Sequence, residues 1–314
     1  MNEAQSIALL HDYIHRAQAH IVEESLCPPL QAVNAAVAYL LDDTVHDEAL
    51  SYDDATLAKL KGEVSEVTFP AEAMRKAFRT ALLEAFKSMR ITNAQMTPDT
   101  IGMFMAYLMN KIGVEANSLV FDPLIGTSNL LATIHNHVSQ AFRVLGVDDD
   151  PAMCTTARNM LDSLNIDGQV ILQDTMTFTA PEVDVIVTDF PPAKVDERDI
   201  YLPYHTIIRH IQSLKKGGMM LAVIENDFFD QPHADAFKKN LNEFAMPFGL
   251  IKLHESLFKN HPKSIFLMRR KQYDNEQLPS FLLADLPAFS DKAAFNAALI
   301  KLEKWFAKKE GDVQ

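Results

Sequence analysis

The first ninety residues follow a helical pattern. Apolar side chains recur at spacings of three and four, which predicts amphipathic helices over 3–22, 29–43 and 70–90. A further helix is expected over 97–113, with Thr97 as its N-cap, Pro98 at its first helical position and Gly113 as its stop.

From Ser118 onward the pattern changes to short apolar runs that alternate with helical stretches. The runs are SLVFD, RVLGVD, QVILQD, VDVIVTD, MMLAVIEN, FGLIKLHE and SIFLMRR. Alternation of strand and helix predicts a doubly wound, mostly parallel, seven-stranded α/β sheet. A helix predicted over 201–217 lies between the fourth and fifth runs. After residue 272 the chain is polar and ends in one amphipathic helix, DKAAFNAALIKLEKWFAKK.

These patterns divide the 314 residues into three regions. We expect a helical domain over 1–90, an α/β domain over 91–272 and a C-terminal extension over 273–314. The division also agrees with the size limit of a single hydrophobic core, which stops growing near ~250–300 residues.

Composition narrows the class of protein. The chain is 48% hydrophobic and 23% charged, as in soluble globular proteins, and it has no stretch resembling a signal peptide or a membrane span. Its two cysteines, Cys27 and Cys154, are far apart and outside any CxxC spacing, which disfavours a disulfide framework or a zinc site. We therefore expect a cytoplasmic protein without a metal or a membrane partner.

The net charge of −13 argues against broad binding to nucleic acid, but the charge is uneven. Residues 1–70 hold twelve acids and three bases, whereas 252–271 holds six bases and one acid. The basic stretch fits either a local phosphate-binding patch or lysines that protect a solvated strand edge.

Four acidic residues end four successive predicted strands: Asp122, Asp148, Asp174 and Asp189. Ligands of open parallel sheets bind at this carboxyl edge. The first strand continues as FDPLIGTSNLL, where Gly126 and a helix start indicate a nucleotide-binding turn. No Gly-Lys-Ser/Thr follows, so ATP hydrolysis has no support.

The second strand end predicts a contact with ribose. Asp148 lies twenty-two residues after Gly126, which is a suitable separation for accepting ribose hydroxyls. Asp149 is a cofactor-binding candidate as well, although it and Asp150 also fit the start of a helix at Pro151. Asp174 could accept an adenine amino group or cap the following turn.

A ring of four carboxylates would repel a pyrophosphate group. It suits a ligand that carries ribose hydroxyls, an amino group and a cationic centre. Because S-adenosylmethionine has all three, it is the expected cofactor in preference to NAD.

Several segments resemble the N6-adenine DNA methylase family, which includes modification subunits of type I restriction systems. DPLIGTSNLL is similar to its motif I, D-P-x-x-G-x-G-N-L-L. GVDDDP and ILQDT resemble its acidic motifs, TDFPP stands in place of N/D-P-P-Y/F, and QMTPDTIGMFM resembles its Thr-Pro segment. The resemblance covers about 90–272, and the helical leader resembles a divergent stand-alone branch from Gram-positive bacteria. It implies a class I (Rossmann-like) methyltransferase fold with S-adenosylmethionine.

The resemblance also implies residue roles. Thr97 and Pro98 would line the methionine end of the cofactor, and Asp189 would orient the target amine. The implied cofactor-binding set is Thr97, Pro98, Asp122, Pro123, Gly126, Thr127, Asp148, Asp149 and Asp174. The implied catalytic set is Asp189, Phe190, Pro191 and Pro192.

Three positions depart from the family pattern. Ser128 replaces a motif I glycine, Phe190 replaces the first proline, and Pro192 replaces the aromatic residue that stacks on a flipped base. Loss of that stacking costs ~1–3 kcal/mol. Cofactor binding is therefore better supported than adenine methylation.

The expected function is S-adenosylmethionine-dependent N-methylation, with nucleic-acid adenine as the acceptor that the resemblance implies. Two alternatives stay open: methyl transfer to a protein amide or small molecule, and a catalytically decayed protein that binds the cofactor or a partner. Only about forty residues follow the sheet. Target recognition would therefore need a partner chain or the acidic helical leader.

Overall fold

The structure is a computed structural model that describes residues 1–45, 47–92, 96–258, 261–276 and 280–311, with side chains through residue 307. Its helices are α1 Glu3–Ser25, α2 Pro29–Asp42, α3 Asp54–Gly62, α4 Ala71–Ser88, α5 Asp99–Lys111, α6 Asn129–His135, α7 Pro151–Ser163, α8 Leu202–His210, α9 Ala234–Phe244 and α10 Lys292–Gly311. Its strands are β1 Leu119–Asp122, β2 Arg143–Asp148, β3 Gly168–Leu172, β4 Val183–Asp189, β5 Leu214–Glu225, β6 Ala245–Lys252, β7 Lys263–Arg270 and β8 Leu282–Asp285.

The strands form one mixed eight-stranded sheet. Its strand order is β3-β2-β1-β4-β5-β7-β6-β8. Strands β1 to β5 pair in parallel, and β7 runs antiparallel to both β5 and β6. The order reverses between β1 and β4, so the carboxyl ends of these strands open a crevice. The predicted doubly wound, mostly parallel sheet is confirmed.

An eighth strand extends the sheet beyond the seven predicted. Strand β8 pairs in parallel with β6 at the edge, within the region expected to hold only one helix. The pattern missed it because it spans four residues and alternates between buried and exposed positions.

Two predicted helices differ from the structure at one end each. The helix expected over 201–217 stops at His210, and β5 begins at Leu214 after a short 3₁₀ turn. Thr97 is not the N-cap of α5, because Pro98 holds that position and the Thr97 hydroxyl donates to Asp189 instead.

The N-terminal helices pack on the α/β region through α2, which contacts α7, and α4, which contacts α6 and α7. Helix α1 lies against α2 and α4, with the Tyr13 hydroxyl donating to the Ala36 carbonyl at 3.1 Å. Helix α2 contacts α7 through hydrogen bonds from Asn34 to Thr156 (2.9 Å) and from Asn159 to Asn34 (2.9 Å). The domain boundaries stay a prediction. No helix in the described ranges is long and apolar enough to cross a membrane.

Candidate cofactor and acceptor site

The carboxyl ends of β1, β2 and β4, with the turn after β3, surround a cavity of about 380 Å³. All four predicted strand-end acids lie in its walls. The predicted site residues that line it are Thr97, Asp122, Gly126, Thr127, Asp148, Asp149, Asp174, Asp189 and Pro191. The predicted residues outside its lining are Pro98, Pro123, Phe190 and Pro192.

The turn after β1 is tied to β2. Gly126 has a positive φ of +51° and donates its backbone N–H to Asp148 Oδ2 at 3.0 Å. The Ile125 N–H donates to the Val147 carbonyl at 3.0 Å. Ile125 packs directly over Gly146, where an added Cβ would approach its side chain to 2.1 Å. These contacts bring the turn and the Asp148 carboxylate together in the cavity wall.

Asp148 is held at both oxygens by backbone donors. Its Oδ1 accepts from the Asp150 N–H at 3.0 Å, in addition to the bond from Gly126. Partial burial and the charges of Asp149 and Asp150 raise its pKa, against the lowering effect of these donors. Asp150 caps α7 by accepting from Ala152 at 2.7 Å, as the helix-start interpretation predicts.

Asp122 is the most buried acid of the cavity, at 2% exposure. Burial raises its pKa to about 7, and the charges of Asp148 and Asp189 add to the effect. Its Oδ1 accepts from the Leu124 N–H at 3.0 Å. Within the described residues it forms no ion pair. A buried carboxyl group of this kind favours a cationic ligand, because a cation would stabilise its ionised form.

Asp174 is exposed and lies two residues beyond the end of β3. Its Oδ1 accepts from the Met176 N–H at 2.7 Å, so it caps the following turn while it also lines the cavity. Both interpretations of this acid are therefore compatible with its position.

Asp189 is engaged at both oxygens. Its Oδ2 accepts from the Thr97 hydroxyl at 2.8 Å. Its Oδ1 accepts from the Lys263 ammonium at 2.6 Å, and the same ammonium donates to the Phe190 carbonyl at 2.8 Å. Lys263 was not among the predicted site residues.

Neither Phe190 nor Pro192 of the DFPP turn offers an aromatic surface to a base in the cavity. The Phe190 side chain is 1% exposed and packs in the core with Tyr201, Ile224 and Phe228. Pro192 is exposed but lies outside the cavity lining. The departures from the family pattern at Phe190 and Pro192 therefore leave no aromatic side chain of this turn in the cavity wall.

A second unpredicted group, Arg75, connects α4 to the site. Its guanidinium is 0% exposed and bonds Glu72 (2.7 Å), Asp99 (2.9 Å) and Asn129 (2.7 Å). Asn129 in turn donates to the Thr97 carbonyl at 3.2 Å. Burial favours the neutral forms of these groups, but the hydrogen bonds and charge of Arg75 prevail and lower the pKa of Glu72 to about 2.

Some described bases of the basic stretch are buried or paired. Lys263 is 5% exposed, and Arg269 pairs with Glu276 at 3.0 Å. Lys252 is exposed, whereas Lys259 lies outside the described residues. At least two of the six bases are therefore engaged within the protein.

A larger groove of about 1060 Å³ runs between α8, α9 and residues 176–182. Its walls include none of the predicted site residues. The four predicted strand-end acids all lie in the smaller cavity.

No family model matches the chain. A Bacillus subtilis protein, the uncharacterized YtxK, is 31% identical over 270 residues, which cover 77% of this chain and 79% of YtxK. A Listeria monocytogenes crystal structure, provisionally assigned as a class I S-adenosylmethionine-dependent methyltransferase, has a TM-score of 0.83 and 25% identity. This match covers 96% of this chain and 99% of the Listeria chain.

Two modification proteins share the fold. A subunit assigned to a type I restriction enzyme of Vibrio vulnificus has a TM-score of 0.60 at 15% identity, covering 75% of this chain and 57% of that one. The type I methyltransferase subunit of Streptococcus thermophilus has a TM-score of 0.59 at 13% identity, covering 89% and 67%. The predicted class I methyltransferase fold is confirmed, and the chain belongs to the protein family of YtxK.

Proposed function

We propose that this protein is a methyltransferase that binds S-adenosylmethionine in the cavity at the carboxyl edge of the sheet. The observation that carries the proposal is the convergence of Asp122, Asp148, Asp174 and Asp189 on that one cavity. The overall similarity to the Listeria protein supports the same conclusion.

The donor set fits the cofactor group by group. Asp122, which is buried and forms no ion pair within the described residues, would hold the methionine amino group, Asp148 the ribose hydroxyls and Asp174 the adenine amino group. Thr97 would line the methionine end. S-Adenosylmethionine supplies an electrophilic methyl group on a sulfonium. The protein's part is to orient the donor and acceptor and to exclude water.

The acceptor we propose is an amino nitrogen, with nucleic-acid adenine as the first candidate. The similarity in fold to type I modification subunits supports it, as does the position of Asp189 beside the cavity. An amine that donates to the Asp189 carboxylate and the Phe190 carbonyl would direct its lone pair toward the methyl group.

A second candidate has its own support. Lys263 and Thr97 already occupy the Asp189 carboxylate, and neither Phe190 nor Pro192 can stack on a base as the family's aromatic residue does. The missing stacking is worth ~1–3 kcal/mol, or about one to two decades of affinity. A different acceptor, such as a protein amide or small molecule, or a role limited to cofactor and partner binding, would explain this arrangement.

Calorimetry tests the cofactor assignment. We expect S-adenosylmethionine to bind the wild-type chain and to bind the Asp148→Ala variant at least about tenfold more weakly, because a charge-assisted bond is worth ~1.5–3 kcal/mol. Asp167→Ala is the matched control, since Asp167 is an exposed acid at the opposite edge of the sheet, before β3. No binding by the wild-type chain would refute the proposal.

Transfer of a tritiated methyl group to DNA, RNA and cell extract identifies the acceptor. Labelling of nucleic acid that Asp189→Ala abolishes would support the amine acceptor. Labelling confined to protein would favour the second candidate. Target recognition by a partner chain would appear as labelling of DNA only in the presence of extract.

A further inference from the structure

Lys263 makes the two hydrogen bonds that a target amine would need. Its Nζ lies 2.6 Å from Asp189 Oδ1 and 2.8 Å from the Phe190 carbonyl oxygen. A nitrogen that donates to both acceptors at these distances lies on a narrow ring around the line that joins the two oxygens. The Lys263 nitrogen occupies part of that ring, although its side chain is not among those that line the cavity.

The remaining acceptor of the turn is also in use. The Thr97 hydroxyl donates to Asp189 Oδ2 at 2.8 Å. Both carboxylate oxygens and the carbonyl thus already accept a hydrogen bond within the chain. An incoming amine that forms the proposed pair of bonds must compete with the Lys263 ammonium for these acceptors.

The sheet itself holds Lys263 in place. Lys263 begins β7 and pairs in register with Glu225 of β5, while Val223 of β5 pairs with Asp189 of β4. Glu225 accepts from the Ala193 N–H at 3.3 Å and lies 2.6 Å from His261 Nδ1. The segments on both sides of the contact are therefore anchored to β5.

Burial makes the contact hard to displace. The side chains of Lys263 and Asp189 are 6% and 11% exposed. Removing one partner of such a pair leaves a charge without solvent or counter-ion, which is unfavourable. A neutral amine would have to compete with an ammonium that is tethered next to its acceptors.

We propose that Lys263 is an internal competitor of the target amine, which keeps the acceptor position of this methyltransferase closed to external amines. The inference rests on the proposed function, since it concerns the acceptor half of the same site. Amine methylation is then suppressed in the resting chain and appears when the Lys263 ammonium is removed.

Four variants test this. Lys263→Met keeps most of the side-chain volume without an N–H donor, and Lys263→Ala empties the position. Lys263→Arg keeps a cationic donor, and Lys252→Met makes the same change at an exposed lysine on β6. With tritiated S-adenosylmethionine and single-stranded DNA containing adenine, Lys263→Met and Lys263→Ala should transfer at least about tenfold faster than wild type. Lys252→Met should transfer at the wild-type rate, and Lys263→Arg, which keeps a cationic donor, should not show the gain of the two neutral variants.

Propylammonium gives a readout that does not depend on turnover. Its three carbons and nitrogen match the part of the lysine side chain that Lys263→Ala removes. We expect it to raise the melting temperature of Lys263→Ala and to slow the transfer by that variant. The wild-type chain and Lys263→Met should be neither stabilised nor inhibited by propylammonium, because their own side chains occupy the space that Lys263→Ala vacates.

The outcomes separate this inference from the proposed function. If no variant binds S-adenosylmethionine in a calorimeter, the proposed function fails. If the variants bind it but Lys263→Met and Lys263→Ala transfer no faster than wild type, the proposal about Lys263 is overturned. Equal stabilisation of wild type and Lys263→Ala by propylammonium would also overturn it, because the amine would then bind elsewhere.

Discussion

Binding of S-adenosylmethionine should strengthen as the pH rises toward neutrality, because Asp122 must lose a proton to receive the amino group of the ligand. The carboxyl group is 2% exposed, and burial raises its pKa to about 7 from a usual 3.8. A cationic partner lowers the pKa of an adjacent carboxyl group. Binding therefore releases the proton that the free protein holds below pH 7.

The size of the effect follows from the pKa. With about 7 in the free protein and a much lower value in the complex, the dissociation constant should rise about 25-fold from pH 7.5 to pH 5.5. That factor corresponds to ~1.9 kcal/mol. About one proton should be released per ligand at pH 5.5 and about a quarter of a proton at pH 7.5.

Calorimetry in buffers of different ionisation enthalpy measures both quantities. The matched control ligand is 5′-methylthioadenosine, which keeps the adenine and ribose but lacks the α-amino group of the methionine part. It should show a much smaller dependence on pH, limited to the contribution of Asp148. The Asp122→Asn variant should bind S-adenosylmethionine with little pH dependence. An affinity that is constant over this range, or an equal slope for both ligands, would refute the role of Asp122.

Three further predictions concern stability. Ser128→Gly should stabilise the fold by ~1 kcal/mol and raise the melting temperature. Ser128 has a φ of +60°, and within the described residues its buried hydroxyl has no hydrogen-bond partner. A lower melting temperature would contradict this prediction. Arg75→Lys should lower the free energy of unfolding, measured in urea, by about 3 kcal/mol, because it breaks a buried ionic network. The same change at the exposed Arg90 should lower it by less than about 0.5 kcal/mol. Equal losses would be inconsistent with a structural role of the Arg75 network. Burial lowers the pKa of His210 to about 4, so the unfolded chain binds its proton first and the contribution of His210 to stability should fall by ~2–3 kcal/mol between pH 7 and pH 4.5. The difference in unfolding free energy between wild type and His210→Gln should change by this amount over that interval, whereas the difference between wild type and the exposed His205→Gln should stay constant.

The strand ends could be predicted because two regularities act together. The apolar runs are buried on both faces of a parallel sheet, so their limits are visible in the sequence. Parallel strands present their carboxyl ends at one edge, which places the acids that follow them together. Asp122, Asp148 and Asp189 line one cavity for this reason. Asp174 joins them although it lies beyond β3, because its turn folds back over the same edge.

Local patterns could not predict which of two partners a polar side chain would choose. Thr97 precedes Pro98 and an apolar helix, which is a favourable N-cap position. In the folded chain its hydroxyl reaches Asp189, ninety-two residues away, and bonds the carboxylate instead. Arg75 likewise finds Asn129, fifty-four residues away. A charged partner brought close by tertiary packing outweighs a local cap, since charge-assisted hydrogen bonds are the stronger kind.

The contacts of Lys263 with Asp189 and the Phe190 carbonyl could not be predicted from the sequence. The six bases of residues 252–271 favoured a solvated or phosphate-binding surface. Nothing in the spacing of these bases distinguishes Lys263 from the others. The distinction arises from strand order, because β7 inserts between β5 and β6 and runs against them. That insertion places Lys263, the first residue of β7, beside the carboxyl end of β5. Strand β5 then lies between Lys263 and Asp189 of β4. The same antiparallel strand that completes the fold therefore brings an ammonium to Asp189 and to the Phe190 carbonyl, and a DFPP turn with its carbonyl already bound is a consequence of topology as much as of the residues in the turn.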